Sequence, residues 1–143
     1  MQIRTLDELA EEAARFVGTL HPKPDEATLV TLSGELGAGK TAFTKAVAEV
    51  LGVEGVLSSP TFVLEKIYEL PEKALFRRLI HIDAYRLEGG SELAPLGFDE
   101  IMHDAGNLVF LEWPEKVADG LPSPTVRISL AVGSGDERSI TYG

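Results

Sequence analysis

The stretch "VTLSGELGAGKTAFTKAVAEVL", Val30 to Leu51, decides how the rest of the chain is read. It sets glycines at positions 34, 37 and 39, then a lysine and a threonine, directly before a helical pattern. Glycine weakens helices and strands from within, so a cluster of glycines serves the loop itself. Gly34-Glu35-Leu36-Gly37-Ala38-Gly39-Lys40-Thr41 fits G-x-x-x-x-G-K-S/T, the phosphate-binding loop pattern. Such a loop wraps with its N–H groups turned inward as an anion nest, a property shared through Ala42. The helix that follows adds unsatisfied amides and the positive end of its dipole. Lys40 supplies a mobile cation for the β- and γ-phosphates, and the Thr41 hydroxyl a ligand for Mg²⁺. A glycine-rich turn with an incidental lysine would not explain the strand before it and the helix after it.

Working outward, Thr5-Leu6-Asp7-Glu8 has capping-box spacing, and Leu6, Leu9, Ala13, Phe16, Val17 and Leu20 follow at helical intervals. This predicts an amphipathic helix ended by "HPKP". Thr28–Leu32 reads as a short apolar strand and Ala38–Leu51 as a helix. Phe62–Leu70 and Leu75–Asp83 read as strands joined by "PEKA", an antiparallel hairpin. Residues 89–106 hold short helices and loops, and Asn107–Glu112 is a buried-type strand. Val126, Ile128 and Leu130 alternate, and Arg138–Tyr142 pairs back after "GSGD". The expected fold is α/β: one P-loop NTPase-like domain over residues 1–143, a mixed β-sheet with helices on its faces.

Composition narrows the function. The chain has 143 residues, 44% hydrophobic, which suits one folded domain. Its net charge is −10, from 23 acids and 13 bases, so it repels phosphodiester backbones and gains nothing from counterion release. Direct binding of tRNA or DNA is disfavoured, whereas a basic protein partner or a small anion held by local dipoles is allowed. Without cysteine there are no disulfides, thiol nucleophiles or Cys-built zinc sites. No apolar run approaches the ~20 residues that cross a bilayer, and the opening "MQIRTLDELAEEAARF" is acidic where a signal peptide is basic and then apolar. No membrane partner is expected, and cytoplasm is the expected compartment.

A phosphate cradle alone hydrolyses nothing; an acid at a neighbouring strand end must hold the metal shell or order water. "LVFLE" ends in Glu112 and "LIHID" in Asp83, each after an apolar run. Glu112 follows the purer buried strand and is the better metal candidate, although the residues leave open which acid touches Mg²⁺. The guanine-reading N-K-x-D motif is missing, since the only asparagine is Asn107 in "GNLV", so ATP is favoured over GTP. The transporter signature "LSGGQ" is absent too, and no lid insert follows. Arg86 is either an arginine finger in cis or an ordinary surface arginine.

These motifs converge. "GELGAGKT", "SSPTF" at Ser58–Phe62, "HIDAYRL" at His81–Leu87 and "LEWPEK" at Leu111–Lys116, in this order, run through nearly the whole chain. Together they resemble the TsaE (YjeE) family, P-loop ATPases of bacterial tRNA threonylcarbamoyladenosine biosynthesis. The resemblance implies a switch role for Thr61, an acid important for ATP turnover at Asp83, a Mg²⁺ carboxylate at Glu112 and an essential neighbour at Trp113. Lys40, Asp83 and Glu112 form the implied catalytic set. Thr5 and Arg138, near the two ends of the chain, are implied contacts on the adenine side. Structural readings stand beside these: Trp113 as a core residue, Tyr85 as a packing aromatic and His81 as a satisfied strand histidine, the last being preferred for His81. Many relatives carry a second hydroxyl after "GKT"; here Ala42 leaves that α-phosphate contact to backbone amides.

The resemblance also implies the partners TsaD and TsaB, with tRNA met only through them. The enzyme would hydrolyse ATP weakly alone and use it to reset that pair, and an acidic surface suits docking beside a basic partner. The alternatives are a small-molecule kinase, against which the missing lid argues, and a non-hydrolysing nucleotide-dependent interaction module.

Overall fold

The computed structural model describes residues 1–53, 65–135 and 137–143. In chain order these hold β1 (Gln2–Ile3), α1 (Leu6–Val17), β2 (Thr28–Ser33), α2 (Lys40–Leu51), β3 (Glu65–Glu69) and β4 (Arg78–Asp83). There follow α3 (Phe98–Met102), β5 (Asn107–Glu112), β6 (Val126–Val132) and β7 (Arg138–Tyr142). Short 3₁₀ turns occupy Gly90–Leu96, Pro114–Lys116 and Ala118–Gly120.

The strands form one sheet in the order β1-β7-β6-β2-β5-β4-β3. Its centre, β6-β2-β5-β4, is parallel, and both margins are antiparallel. The division follows from side-chain character. β5 is buried along its whole length and β2 nearly so, as parallel strands covered on both faces must be. In β6, Ile128 and Leu130 are buried while Arg127 and Ser129 are exposed, so only one face there is covered.

The period of two sends alternate residues of the central strands into different layers. Val30, Leu32, Leu108, Phe110 and Leu79 pack against α1 and α2. There Phe16 of α1 meets Phe43 of α2 at 5.8 Å and turns its edge to Phe110 at 6.3 Å. Leu29, Val109, Leu111, Ile80 and Ile82 enter the other layer, closed by Leu93, Phe98 and Val117. The mixed sheet with helices on both faces is therefore as the sequence predicts.

Several details differ. Leu6 sits on the exposed side of α1, 81% accessible, because it lies in the first turn before the helix reaches the sheet. The helix stops at Val17; the amides of Thr19 and Leu20 fold back to Phe16 and Val17 carbonyls, and Leu20 enters the core from that turn. β4 begins at Arg78 rather than Leu75, because the ladder with β3 and β5 starts only there. β1 and the 3₁₀ turns after Trp113 were not expected. Residues 62–64 of the predicted hairpin lie outside the described residues.

The register positions the site. Leu32 pairs with Glu112, and Glu112 with Asp83, so β2, β5 and β4 end in one row. The glycine loop leaves β2 at that row, the edge where open α/β sheets bind ligands.

Candidate nucleotide and metal site

The loop's shape depends on its glycines at two points. Gly34 has φ +147°, and a Cβ there would stand 2.3 Å from the Leu130 carbonyl oxygen, so β6 and the loop pass as bare backbone. Gly39 has φ +100° and turns the chain into α2, in a region that L residues avoid. The first amides of α2 have no carbonyl one turn back to receive them. Lys40 is buried, and its Nζ donates to the carbonyls of Gly34 at 2.6 Å and Glu35 at 2.9 Å. The same ammonium lies 4.1 Å from the centroid of the Trp113 ring. Burial pushes Lys40 below the ordinary lysine pKa, against the opposing pull of Glu112, Glu115, Asp83 and Glu35. A cation held so gains from an anion placed before it.

Beneath the loop, the Thr41 hydroxyl donates to Glu112 at 3.2 Å from Oε1 and 3.1 Å from Oε2. Glu112 is buried, and its Oε2 is also paired with Nε2 of His81. Asp83 lies beside Glu112 in the ladder, and its Oδ1 accepts from the Tyr85 amide at 3.0 Å. Burial raises the Asp83 pKa above the usual aspartate range; the Tyr85 amide works against this, and the Glu112 charge reinforces it. Trp113 takes a left-handed backbone, φ 62° and ψ 53°, the one non-glycine among the described residues to do so. Its amide is pinned to the Leu32 carbonyl at 3.1 Å, and its ring meets Tyr85 at 4.9 Å. Such strain, about 1–3 kcal/mol, persists where the surroundings determine it, and here it turns the indole over Lys40.

Leu36, Gly37, Lys40, Thr41, Asp83, Glu112 and Trp113 thus line one cleft of about 350 Å³. Gly34 and Glu35 act through the carbonyls that hold Lys40. A second cleft, about 390 Å³, opens on the other side of the loop and shares Gly37, Gly39 and Ala42 with the first. Thr5, Ala38 and Arg138 line it, with Leu9 and Ile140 among its apolar walls. Thr5 caps α1 by accepting from the Glu8 amide at 3.1 Å, and Arg138 Nε donates to the Gly37 carbonyl at 3.2 Å. The two chain ends therefore meet at the loop.

Other candidates fall elsewhere. Thr61 lies outside the described residues. Arg86 is exposed and does not line either cleft. Asn107 starts β5, at the end opposite the loop, where its amide donates to the Ile101 carbonyl at 2.9 Å. It is a structural residue.

His81 is the site neighbour that residue reading passed over. It is a satisfied strand histidine, as expected, but the group satisfying it is Glu112. It stands two residues before Asp83, hence on the same face of β4. Only the register of β4 against β5 reveals what that face meets.

Among the described residues no group of three or more His, Asp or Glu could cage a metal ion alone. A hydroxyl and two carboxylates in one cleft suit instead a hard cation that keeps water and fills its shell from substrate phosphates. The residues fit Mg²⁺ in that way.

The family model described as "Threonylcarbamoyl adenosine biosynthesis protein TsaE" matches residues 4–140. The chain belongs to the TsaE family. It is 37% identical over 142 residues to the tRNA threonylcarbamoyladenosine biosynthesis protein TsaE of Bacillus subtilis, covering 97% of this chain and 82% of that one. Its identity to the Treponema pallidum TsaE protein is 36% over 139 residues, covering 97% and 98%. The crystal structure of Bacillus subtilis YdiB superposes with a TM-score of 0.75 at 30% identity, covering 99% of this chain and 82% of YdiB. TsaE membership agrees with the sheet and loop described above. No described helix is long and apolar enough to cross a membrane.

Proposed function

We propose that this TsaE-family chain binds ATP with Mg²⁺, hydrolyses it slowly alone, and serves tRNA threonylcarbamoyladenosine biosynthesis in the cytoplasm by resetting a TsaD–TsaB complex. The supporting observation is the junction of Lys40, Thr41 and Glu112 in one cleft under a glycine loop. The loop amides and α2 would receive the β- and γ-phosphates. Lys40 would exchange the Gly34 and Glu35 carbonyls for phosphate oxygens, gaining a charged partner for a buried ammonium. The adenine side falls to the second cleft, where Thr5 and Arg138 supply polar groups among apolar walls.

Thr41 and Glu112 are the groups that would hold Mg²⁺, with Asp83 placed to bind its water. The metal, when bound, neutralises charge that develops on the phosphates. Asp83, raised in pKa by burial, is a stronger proton acceptor than a free aspartate and is suited to orienting water at its carboxylate. Among the described residues the other carboxylate of the cleft, Glu112, is engaged by Thr41 and His81, in keeping with slow turnover until a partner completes the arrangement.

The test is phosphate release with and without TsaD–TsaB, for wild type and Glu112→Ala. Slow release that rises with the partners and falls at least 100-fold in the variant is expected. Transfer to an acceptor other than water would make the chain a kinase, and equal function of both forms would make it a non-hydrolysing module. Because the chain carries net charge −10, complex formation is expected to weaken as salt rises.

A further inference from the structure

We propose that His81 is a positioning residue for the metal site: its Nε2–H holds Glu112 in the orientation that faces the Thr41 hydroxyl. This rests on the ATP–Mg²⁺ reading above and assigns a role to a residue outside the loop and outside the acid pair.

The strand itself supplies the first reason. Leu79, Ile80 and Ile82 of β4 are all buried and apolar, and His81 is equally buried between them. The neighbours on its face are core residues of the α1–α2 layer, such as Leu79 and Phe110. A leucine would fill such a position without the cost of burying a polar ring, so the imidazole needs a partner that repays its desolvation. That partner is Oε2 of Glu112, itself 2% exposed.

The second reason is the needs of Glu112. A carboxylate oxygen accepts, so the ring nitrogen opposite Oε2 is taken as the donor of this bond. Thr41 Oγ1 lies almost equally far from the two oxygens, 3.2 and 3.1 Å, and by itself does not choose between them. His81 engages Oε2 alone and thereby breaks that symmetry. Oε1 is left as the oxygen with lone pairs to offer beside Thr41. Outer partners of this kind orient ligating carboxylates, and their loss weakens metal binding about 10–100-fold.

The experiment follows Mn²⁺ by electron paramagnetic resonance in the presence of a saturating non-hydrolysable ATP analogue, with metal-free analogue affinity measured by calorimetry. His81→Leu is expected to weaken Mn²⁺ binding about 10–100-fold while leaving metal-free analogue affinity within about twofold. His81→Gln, which restores an N–H donor at similar reach, is expected to recover most of the loss. Wild-type Mn²⁺ affinity in His81→Leu would overturn the proposal. Failure of the wild type to bind the analogue at all would instead overturn the nucleotide reading on which it rests. Should His81→Leu not fold, nitrogen NMR of the wild-type imidazole decides: a proton on Nε2, shifting when Mg²⁺ and analogue bind, supports the role, and a bare Nε2 refutes it.

Discussion

Glu12 offers a prediction in which pH separates charge from packing. It lies in α1, 2% exposed, and accepts from Arg15 at 2.9 Å from Nε and 2.6 Å from Nη2, and from the Tyr142 hydroxyl of β7. The Arg15 bond, and after it the Tyr142 bond, the Arg15 charge and the N-terminal ammonium, hold the Glu12 pKa below its ordinary value of 4.5 despite burial. A depressed carboxyl stabilises the fold above its unfolded pKa, and that contribution fades as pH falls through the lower folded value. Glu12→Gln keeps the shape and removes the charge. Exchanging a charged for a neutral bond at Tyr142 costs about 1–2 kcal/mol; the exposed Arg15 end is screened by water and adds no figure. For a chain of this length that lowers Tm by about 4–8 °C. Urea denaturation at pH 7 and about pH 3 checks it: the difference from wild type should be full at pH 7 and shrink towards zero in acid. Tyr142→Phe keeps the stack on Phe16 at 5.4 Å but removes the whole bond, so it should cost at least as much as Glu12→Gln, with the double variant no worse than Tyr142→Phe alone. A difference that stayed constant with pH would refute the electrostatic reasoning. Because Thr5 caps α1 and Arg138 begins β7, the same variants should also loosen the second cleft.

Two more predictions concern the loop. Gly34→Ala sets a Cβ 2.3 Å from a backbone oxygen of β6 at φ +147°, whereas Gly37→Ala, at φ +82°, meets nothing within 4 Å. The first should lower stability by about 2–4 kcal/mol and the second by about 1–2 kcal/mol, read by denaturant unfolding; equal losses would mean that β6 does not confine the loop. Trp113 is the only tryptophan, so its fluorescence reports the site directly. Titration with an ATP analogue should change its emission as Lys40 leaves the ring face, and calorimetric binding with unchanged emission would contradict that coupling.

Residue types and spacing carried the loop, the strand before it, the helix after it and the acids at two strand ends. Glu112 and Asp83 were legible because each closes an apolar run, and neighbouring parallel strands bring such ends together. What depended on register was hidden. His81 could not be linked to Glu112 before β4 was aligned on β5, and β1 is only Gln2–Ile3, stabilised by β7 from the far end of the chain. Leu6 fits the helical period but precedes the point where α1 meets the core, a matter of docking rather than periodicity. The left-handed turn at Trp113 is equally non-local, since the Leu32 carbonyl pins its amide.

Calorimetry of Mg-ATP binding to wild type and Lys40→Ala tests the central claim most directly. One saturable site in the wild type, with affinity reduced at least about 100-fold in the variant, is the predicted result. Equal affinity in the two proteins would contradict it.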